Sequence, residues 1–319
     1  MNSFLARAAS LTPEEIQREV PYHYIPTEWI CIVFVALFGV TGVIHVAESL
    51  FFRMWWLLPT AGLAAVAEVV GWVGRLWSSQ NPTLLTPFLM QITTTIIAPT
   101  PLVAANFVIL GRIIKRLGPQ YSRLGPGLYT IIFCSCDIIA LVVQAVGGAS
   151  ASTAAEQHRN ADQGGHIMLG GIVFQLVAIC VYVACAFEFL VRYALDRPVR
   201  KVISSARHGS STTLDDQRAV PSPSRGHMDR PLALMVFGLG LSTIFIFIRS
   251  VYRTIELSDG WDGKIISTQV YFNVLDGAMI VLASFTLNFF HPGFLLRASE
   301  EPTEPQFERE PKRSYQASV

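Results

Sequence analysis

Residues 28–52 read EWICIVFVALFGVTGVIHVAESLFF, with a carboxylate near each end and no Asp, Glu, Lys or Arg from Trp29 to Ala47. A helix crossing the hydrocarbon layer needs about 20 mostly apolar residues, and this stretch supplies them without interruption. Six more stretches of the same kind follow, at about 55–77, 86–114, 127–148, 166–193, 231–255 and 266–290. Composition agrees. Hydrophobic residues make up 51% of the 319 and charged residues 15%, against about 25% charged in a typical soluble domain. Most tryptophans fall near the ends of these stretches, as an aromatic belt at the membrane interfaces places them. The sequence therefore predicts an all-α membrane protein, a bundle of seven transmembrane helices.

Basic residues set the expected orientation, because cytosolic loops carry the excess of Lys and Arg. One side of the bundle holds Arg53, then Arg112, Lys115, Arg116 and Arg123, then eight basic residues between Arg192 and Arg230, then Arg297, Arg309, Lys312 and Arg313. That is 17 of the 24 basic residues, which puts the N-terminus outside and the C-terminus in the cytosol. Residues 1–27 form an extracellular segment without the apolar core of a cleavable signal peptide, so the first span serves as anchor. The transmembrane domain covers 28–296. Its long loop 196–229, rich in Arg, Ser, Thr and Pro, reads as a disordered cytosolic linker, as does the tail 297–319. The loop is the place where a cytosolic partner would dock. The outer loop 149–165 is small and polar.

Ionisable groups inside a span are costly and mark functional candidates. Glu68 and Arg75, Asp137 and Gln144, Arg249 and Glu256, and Gln269 and Asp276 each lie seven residues apart, two helical turns, so each pair shares a face. Four polar stripes cannot face lipid and must converge on one another or on water. The candidate substrate-binding residues are Glu68, Arg75, Gln91, Asp137, Gln144, Gln175, Arg249, Arg253, Glu256 and Asp276. They are expected to line one cavity in the outer half, floored by Asp137 and Asp276. The same residues would also serve as helix–helix ties, since polar bonds between spans stabilise packing. In the third span, Ala98-Pro99-Thr100-Pro101 removes two backbone donors. Such an interruption marks either a broken helix at a substrate site or a simple kink.

Other chemistry is poorly supported. The net charge of +1 points to no nucleic-acid partner. No nucleotide-binding loop, nucleophile elbow or clustered histidine pair occurs, so neither an enzyme nor a bound cofactor or metal is expected. All five cysteines lie within apolar stretches, where Cys134 and Cys136 read as small packing residues.

Six segments in order carry a more specific signal: Glu68-x-x-Gly-Trp-x-x-Arg75; Gln91 with Ala98-Pro99 downstream; Asp137-x6-Gln144-x-x-Gly-Gly148; Gly170-Gly171-x-x-x-Gln175; Arg249-x-x-Tyr-Arg-x-x-Glu256; and Asp276 followed by His291-Pro292. With Tyr22-x-Tyr24-x-Pro26 before them, they resemble the fungal lipid-translocating exporters, also called resistance-to-aminocholesterol-like proteins, over residues 22–296. Trp72 and Gln269 depart from that pattern, and Gln269 removes a negative charge. The resemblance implies a fungal multi-pass protein, expected in the plasma membrane. It would export amphiphilic lipids such as sphingoid long-chain bases and confer resistance to toxic amphiphiles. The competing expectation is a seven-span lipid or stress sensor signalling through the loop 196–229.

Overall fold

The computed structural model describes residues 20–157, 159–199, 226–261 and 263–296. Seven helices among them are long and apolar enough to cross a membrane. They are α1 (Glu28–Phe51), α2 (Trp55–Gln80), α3 (Leu85–Leu117), α4 (Pro126–Glu156), α5 (Asp162–Ala194), α6 (Arg230–Ser258) and α7 (Gln269–Phe289), with a short α8 (Pro292–Leu295) at the end. The span boundaries agree with the apolar pattern to within a few residues. One loop does not. Helical structure continues through 149–156 and resumes at Asp162, so most of the small polar segment 149–165 is helix. Its alanines and serines, at Ala149-Ser-Ala-Ser-Thr-Ala-Ala155, offer no proline to stop α4.

The third span lies at the centre of the bundle. Burial covers 72% of its most apolar stretch, against 28% for α1 and for α4, whose outward Val, Ile, Leu and Phe side chains are exposed to the surroundings. The central core joins Phe107, Leu110 and Ile113 of α3 to Phe133, Tyr182, Met235 and Ile280. Small residues let neighbouring helices approach closely. A β-carbon added at Gly164 would lie 2.3 Å from the Ala151 backbone nitrogen, and one at Gly171 would lie 2.8 Å from Gln144 Cγ. These two positions hold α5 against α4. The pairs α1–α2, α2–α3 and α6–α7 complete the tightest packing.

Three local departures from α-helix matter for the site. The start of α2 is a 3-10 turn at Trp55–Leu57 followed by a π stretch at Leu58–Gly62, and α7 carries a π stretch at Phe272–Ala278. The Pro99–Pro101 segment does not break α3, since Ala98 keeps helical dihedrals of −53° and −40°. It is a continuous helix with a joint. The residues 196–199 and 226–229, at the two ends of the long loop, are held against the end of α3. The Val199 N–H donates to the Gln120 carbonyl and the Gly226 N–H to the Leu117 carbonyl, at 2.9 and 3.0 Å. The expected disorder of the rest of that loop, and of the tail from 297, falls outside the described residues.

Candidate functional site

The polar residues gather into two groups on either side of α3. The larger group is built from α2, α3, α6 and α7. Arg249 and Arg253, one turn apart on α6, both donate from Nε to Asp276 Oδ1 at 2.8 Å. Arg253 Nη2 reaches the other oxygen at 2.9 Å, and Nη1 donates to Glu256 Oε2 at 2.7 Å. Asp276 sits inside the π stretch of α7; such a bulge adds a residue to the turn and re-aims its side chain. Tyr252 donates its hydroxyl to Glu256 Oε1 at 2.8 Å. The group holds three arginines (Arg75, Arg249, Arg253) and three carboxylates (Glu68, Glu256, Asp276), and all six are nearly inaccessible. The group is formally neutral, which makes its burial tolerable.

Proline supplies one of its contacts. An α-helical residue 99 would donate its N–H to the Thr95 carbonyl; Pro99 has none. That carbonyl instead accepts from Arg249 Nη2 at 2.6 Å. The Thr95 hydroxyl accepts from Arg253 Nη2 at 3.0 Å and from the Gln91 amide at 3.1 Å. The proline pair thus marks a carbonyl released to a guanidinium inside an unbroken helix.

Arg75 shares a helix face with Glu68, as its spacing implies, but does not pair with it. Among the described residues it makes no ion pair. Its Nη2 donates to the Tyr24 hydroxyl at 2.6 Å, and its guanidinium lies 4.4–5.7 Å from the ring centres of Phe272, Tyr22, Tyr24 and Trp72, within cation–π range. Tyr22 donates to Gln91 Oε1 at 3.1 Å. The segment before α1 is therefore inserted into the bundle, and burial pushes the Tyr22 phenol up to about 12, against the opposing pull of Arg75. Glu68 stands alone: neither oxygen has a hydrogen-bond partner, although Asp276, Arg249 and Arg253 lie close enough to act on it. The space among Tyr22, Tyr24, Arg75, Gln91, Arg253 and Glu256 is only about 10 Å³. Here the polar residues are locked together and enclose no cavity of ligand size.

The second group lies between α3, α4 and α5. Gln144 Nε2 donates to Gln175 Oε1 at 3.1 Å, and Gln175 Nε2 donates to the Thr100 hydroxyl at 3.2 Å. Asp137, two turns from Gln144 on the same helix, is 1% exposed, and neither carboxylate oxygen has a hydrogen-bond partner. Gln144 also lines a cleft of about 460 Å³ between α3 and α4. The walls are apolar (Phe88, Ile92 and Ile96 of α3, Ala145 and Gly148 of α4, Met168 of α5), and Val20, Pro21, His23 and Trp261 close the end nearest the N-terminus. The ten candidate residues are thus divided. Glu68, Arg75, Gln91, Arg249, Arg253, Glu256 and Asp276 come together in one group, and Asp137, Gln144 and Gln175 in the other.

Sequence reasoning did not single out Thr95 or Phe272, which supply contacts between spans. Thr100, Tyr252, Tyr22 and Tyr24 entered only inside the quoted motifs. Among the described residues no set of three or more His, Cys, Asp or Glu is arranged to hold a metal ion.

Comparison with known proteins identifies the family. A family model described as RTA1 like protein matches residues 62–299, from within α2 past α8. The sphingoid long-chain base transporter RSB1 of Saccharomyces cerevisiae (strain YJM789) is 29% identical over 288 residues, covering 86% of this chain and 74% of that one. Protein RTA1 of the same species is 26% identical over 311 residues, covering 89% of each chain. Protein RTM1 is 26% identical over 224 residues, covering 69% of this chain and 62% of the other. No solved structure matches. The chain belongs to the RTA1-like family.

Proposed function

We propose that this protein moves amphiphilic lipids with a cationic amine head across the membrane, sphingoid long-chain bases being the class named for the yeast relative. One observation carries the reading: Asp137 is a buried carboxylate without a hydrogen-bond partner, two turns beyond the glutamine that lines an apolar cleft. An unpaired carboxylate at membrane depth is expensive. A bound ammonium would relieve that cost, because an ion pair in a low-dielectric site is far stronger than in water. The Gln144 and Gln175 amides stand between cleft and acid, where they would hand on the hydroxyl and amine of a head group while the tail lies along Phe88, Ile92 and Ile96. The arginine–carboxylate group, which includes α3 through Thr95, then serves as the fixed frame from which α4 parts. We place the protein in the plasma membrane with the N-terminus outside, on the basic asymmetry and the family resemblance.

The test is flux of a fluorescent sphingoid base in proteoliposomes of pure protein, beside a zwitterionic lipid with the same tail. The reading expects selective flux that Asp137→Asn abolishes at unchanged protein stability. Equal flux in that variant overturns the assignment of Asp137. Saturable binding without flux would favour a sensor, for which the docked ends of the loop 196–229 on α3 supply the contact to the bundle.

A further inference from the structure

At the arginine-rich end of the bundle, far from both polar groups, three titratable side chains converge. His45 is on α1, Glu48 one turn later, and His291 is the residue that caps α8. His45 Nδ1 lies 3.9 Å and His291 Nε2 3.8 Å from the same atom, Glu48 Oε2. The two imidazoles are 0% and 1% exposed and the Glu48 side chain 16%. All three of these atoms are buried and lack a hydrogen-bond partner. Three unpartnered polar atoms aimed at one point inside a membrane protein require a reason.

The surrounding hydrogen bonds fix which atoms carry protons. His291 Nδ1 accepts the Gly293 N–H at 3.1 Å, so the neutral ring holds its proton on Nε2, facing Glu48. The Asn288 amide donates to the Thr41 hydroxyl at 2.6 Å, and Thr41 and Ser284 are 2.9 Å apart. His45 Nε2 lies 3.1 Å from Ser284 Oγ and also meets the Ser284 carbonyl, which can only accept, so this ring holds its proton on Nε2 and turns the Nδ1 lone pair toward Glu48. One neutral imidazole thus presents an N–H and the other a lone pair to the same carboxylate, from opposite elements. The Phe52 ring, 5.0 Å from the His291 ring centre, covers the site on one side. Arg53, the nearest basic residue in sequence, is exposed. Among the described residues no other charged group pairs with the three.

We propose that His45, Glu48 and His291 form one proton-binding site, which takes up a single proton from the arginine-rich side and shares it between His45 Nδ1 and the Glu48 carboxylate, with the His291 Nε2–H directed at the same oxygen. Glu48, the one partly exposed member, is the entry. Uptake changes the contact between α1 and the corner joining α7 to α8, so protonation on that side is linked to the packing of the last span. A metal ion fits the geometry less well. Donor atoms around a tetrahedral zinc, at about 2.0–2.1 Å from the metal, lie roughly 3.4 Å apart, and only three donors are present. The site is independent of the lipid reading above.

Full-length protein labelled with 15N-histidine, in nanodiscs of phosphatidylcholine, gives the test. The chain has seven histidines, and the signals of His45 and His291 are identified by His45→Asn and His291→Asn. We expect the two ring signals to change with pH at one shared midpoint, together with an infrared carboxyl band that Glu48→Gln removes. In Glu48→Gln the shared midpoint is lost and the rings need about tenfold more acid to protonate, a displacement of about one pH unit. Glu48→Asp should keep the shared midpoint. Rings that titrate separately in the wild type, that do not titrate, or that are unchanged in Glu48→Gln overturn the proposal. So does a change in their signals on adding a chelator, which would mean a metal instead. Absence of lipid flux in the same preparation would count against the transport reading and leave this one standing.

Discussion

Asp276→Asn and Asp137→Asn are the same chemical change at two buried aspartates of the same membrane bundle, and the structure separates their consequences. Asp276 accepts three N–H groups from two arginines at 2.8–2.9 Å. Asparagine keeps one acceptor oxygen, turns an amide donor toward a guanidinium donor, and leaves the buried group with an uncompensated positive charge. Removing one partner from a buried ion pair costs about 3–5 kcal/mol. With about 2–4 °C per kcal/mol for a chain of a few hundred residues, the midpoint should fall by roughly 10 °C. Neither Asp137 oxygen has a well-formed hydrogen bond, the Gln175 amide being its polar neighbour, so its neutralisation removes a desolvation cost and breaks no ion pair. Its variant should melt at or above the wild type. Thermal unfolding of both proteins in one detergent, followed by loss of the monodisperse peak, reads the difference. If Asp276→Asn is as stable as Asp137→Asn, the arginine–carboxylate group does not hold the bundle together and the division into frame and site is wrong.

Thr95→Val removes the hydroxyl that serves Gln91 and Arg253 and should cost about 2 kcal/mol, the worth of a hydrogen bond to a charged group; Thr93→Val, on the exposed side of the same helix, should be neutral in the same melt. Tyr24→Phe keeps the ring under Arg75 and deletes its hydrogen bond, so it should lower stability by about 1.5–3 kcal/mol, whereas an unchanged melt would mean that the aromatic faces alone hold the guanidinium. Because burial raises the Tyr22 phenol from 10.0 to about 12, its contribution is full below pH 10 and is lost as pH rises toward 12. Alkaline titration should therefore destabilise the wild type by up to about 2–3 kcal/mol more than Tyr22→Phe over that interval, and parallel curves would refute the burial. Gly164→Leu places a side chain 2.3 Å from the Ala151 nitrogen and should abolish assembly, while Gly170→Leu, with nothing within 4 Å, should be tolerated; equal yields of the two would sink the close α4–α5 packing.

The spans were legible because a helix in lipid must be apolar over about 20 residues whatever it packs against. The loop 149–165 misled for the complementary reason: alanine and serine carry little hydropathy signal, yet nothing in them ends a helix. Spacing placed Arg249 with Glu256, and both lie in the network, but periodicity speaks only of one helix face. It could not show that Arg253 reaches Asp276 on α7 or that Arg75 turns to Tyr22 and Tyr24. Those partners are set by how helices are rotated against each other, which many residues decide jointly. The division of ten candidates into two groups was invisible for the same reason. Thr95 and Thr100 are five residues apart on α3, more than one turn, and that rotation sends one hydroxyl to the arginines and the other to Gln175.

The two groups also differ in what they can do chemically, and α3 connects them. Arg249 and Arg253 of α6 are each engaged by a carboxylate and by the Thr95 carbonyl or hydroxyl, so moving α3 at that level breaks charged hydrogen bonds in a medium that offers no replacement. One turn further, past Pro99, α3 holds Gln175 only through a neutral hydroxyl contact at 3.2 Å, which costs far less to exchange. A lipid head entering from the cleft would therefore displace the Thr100–Gln175–Gln144 chain before it disturbed the arginines, and would meet Asp137 next. The joint at Ala98 lies between the Thr95 level, tied to the arginines, and the Thr100 level, tied to Gln175. Beyond that joint α3 is the packed centre of the bundle, so an exchange at Thr100 is one of side-chain partners, with the helix held in place.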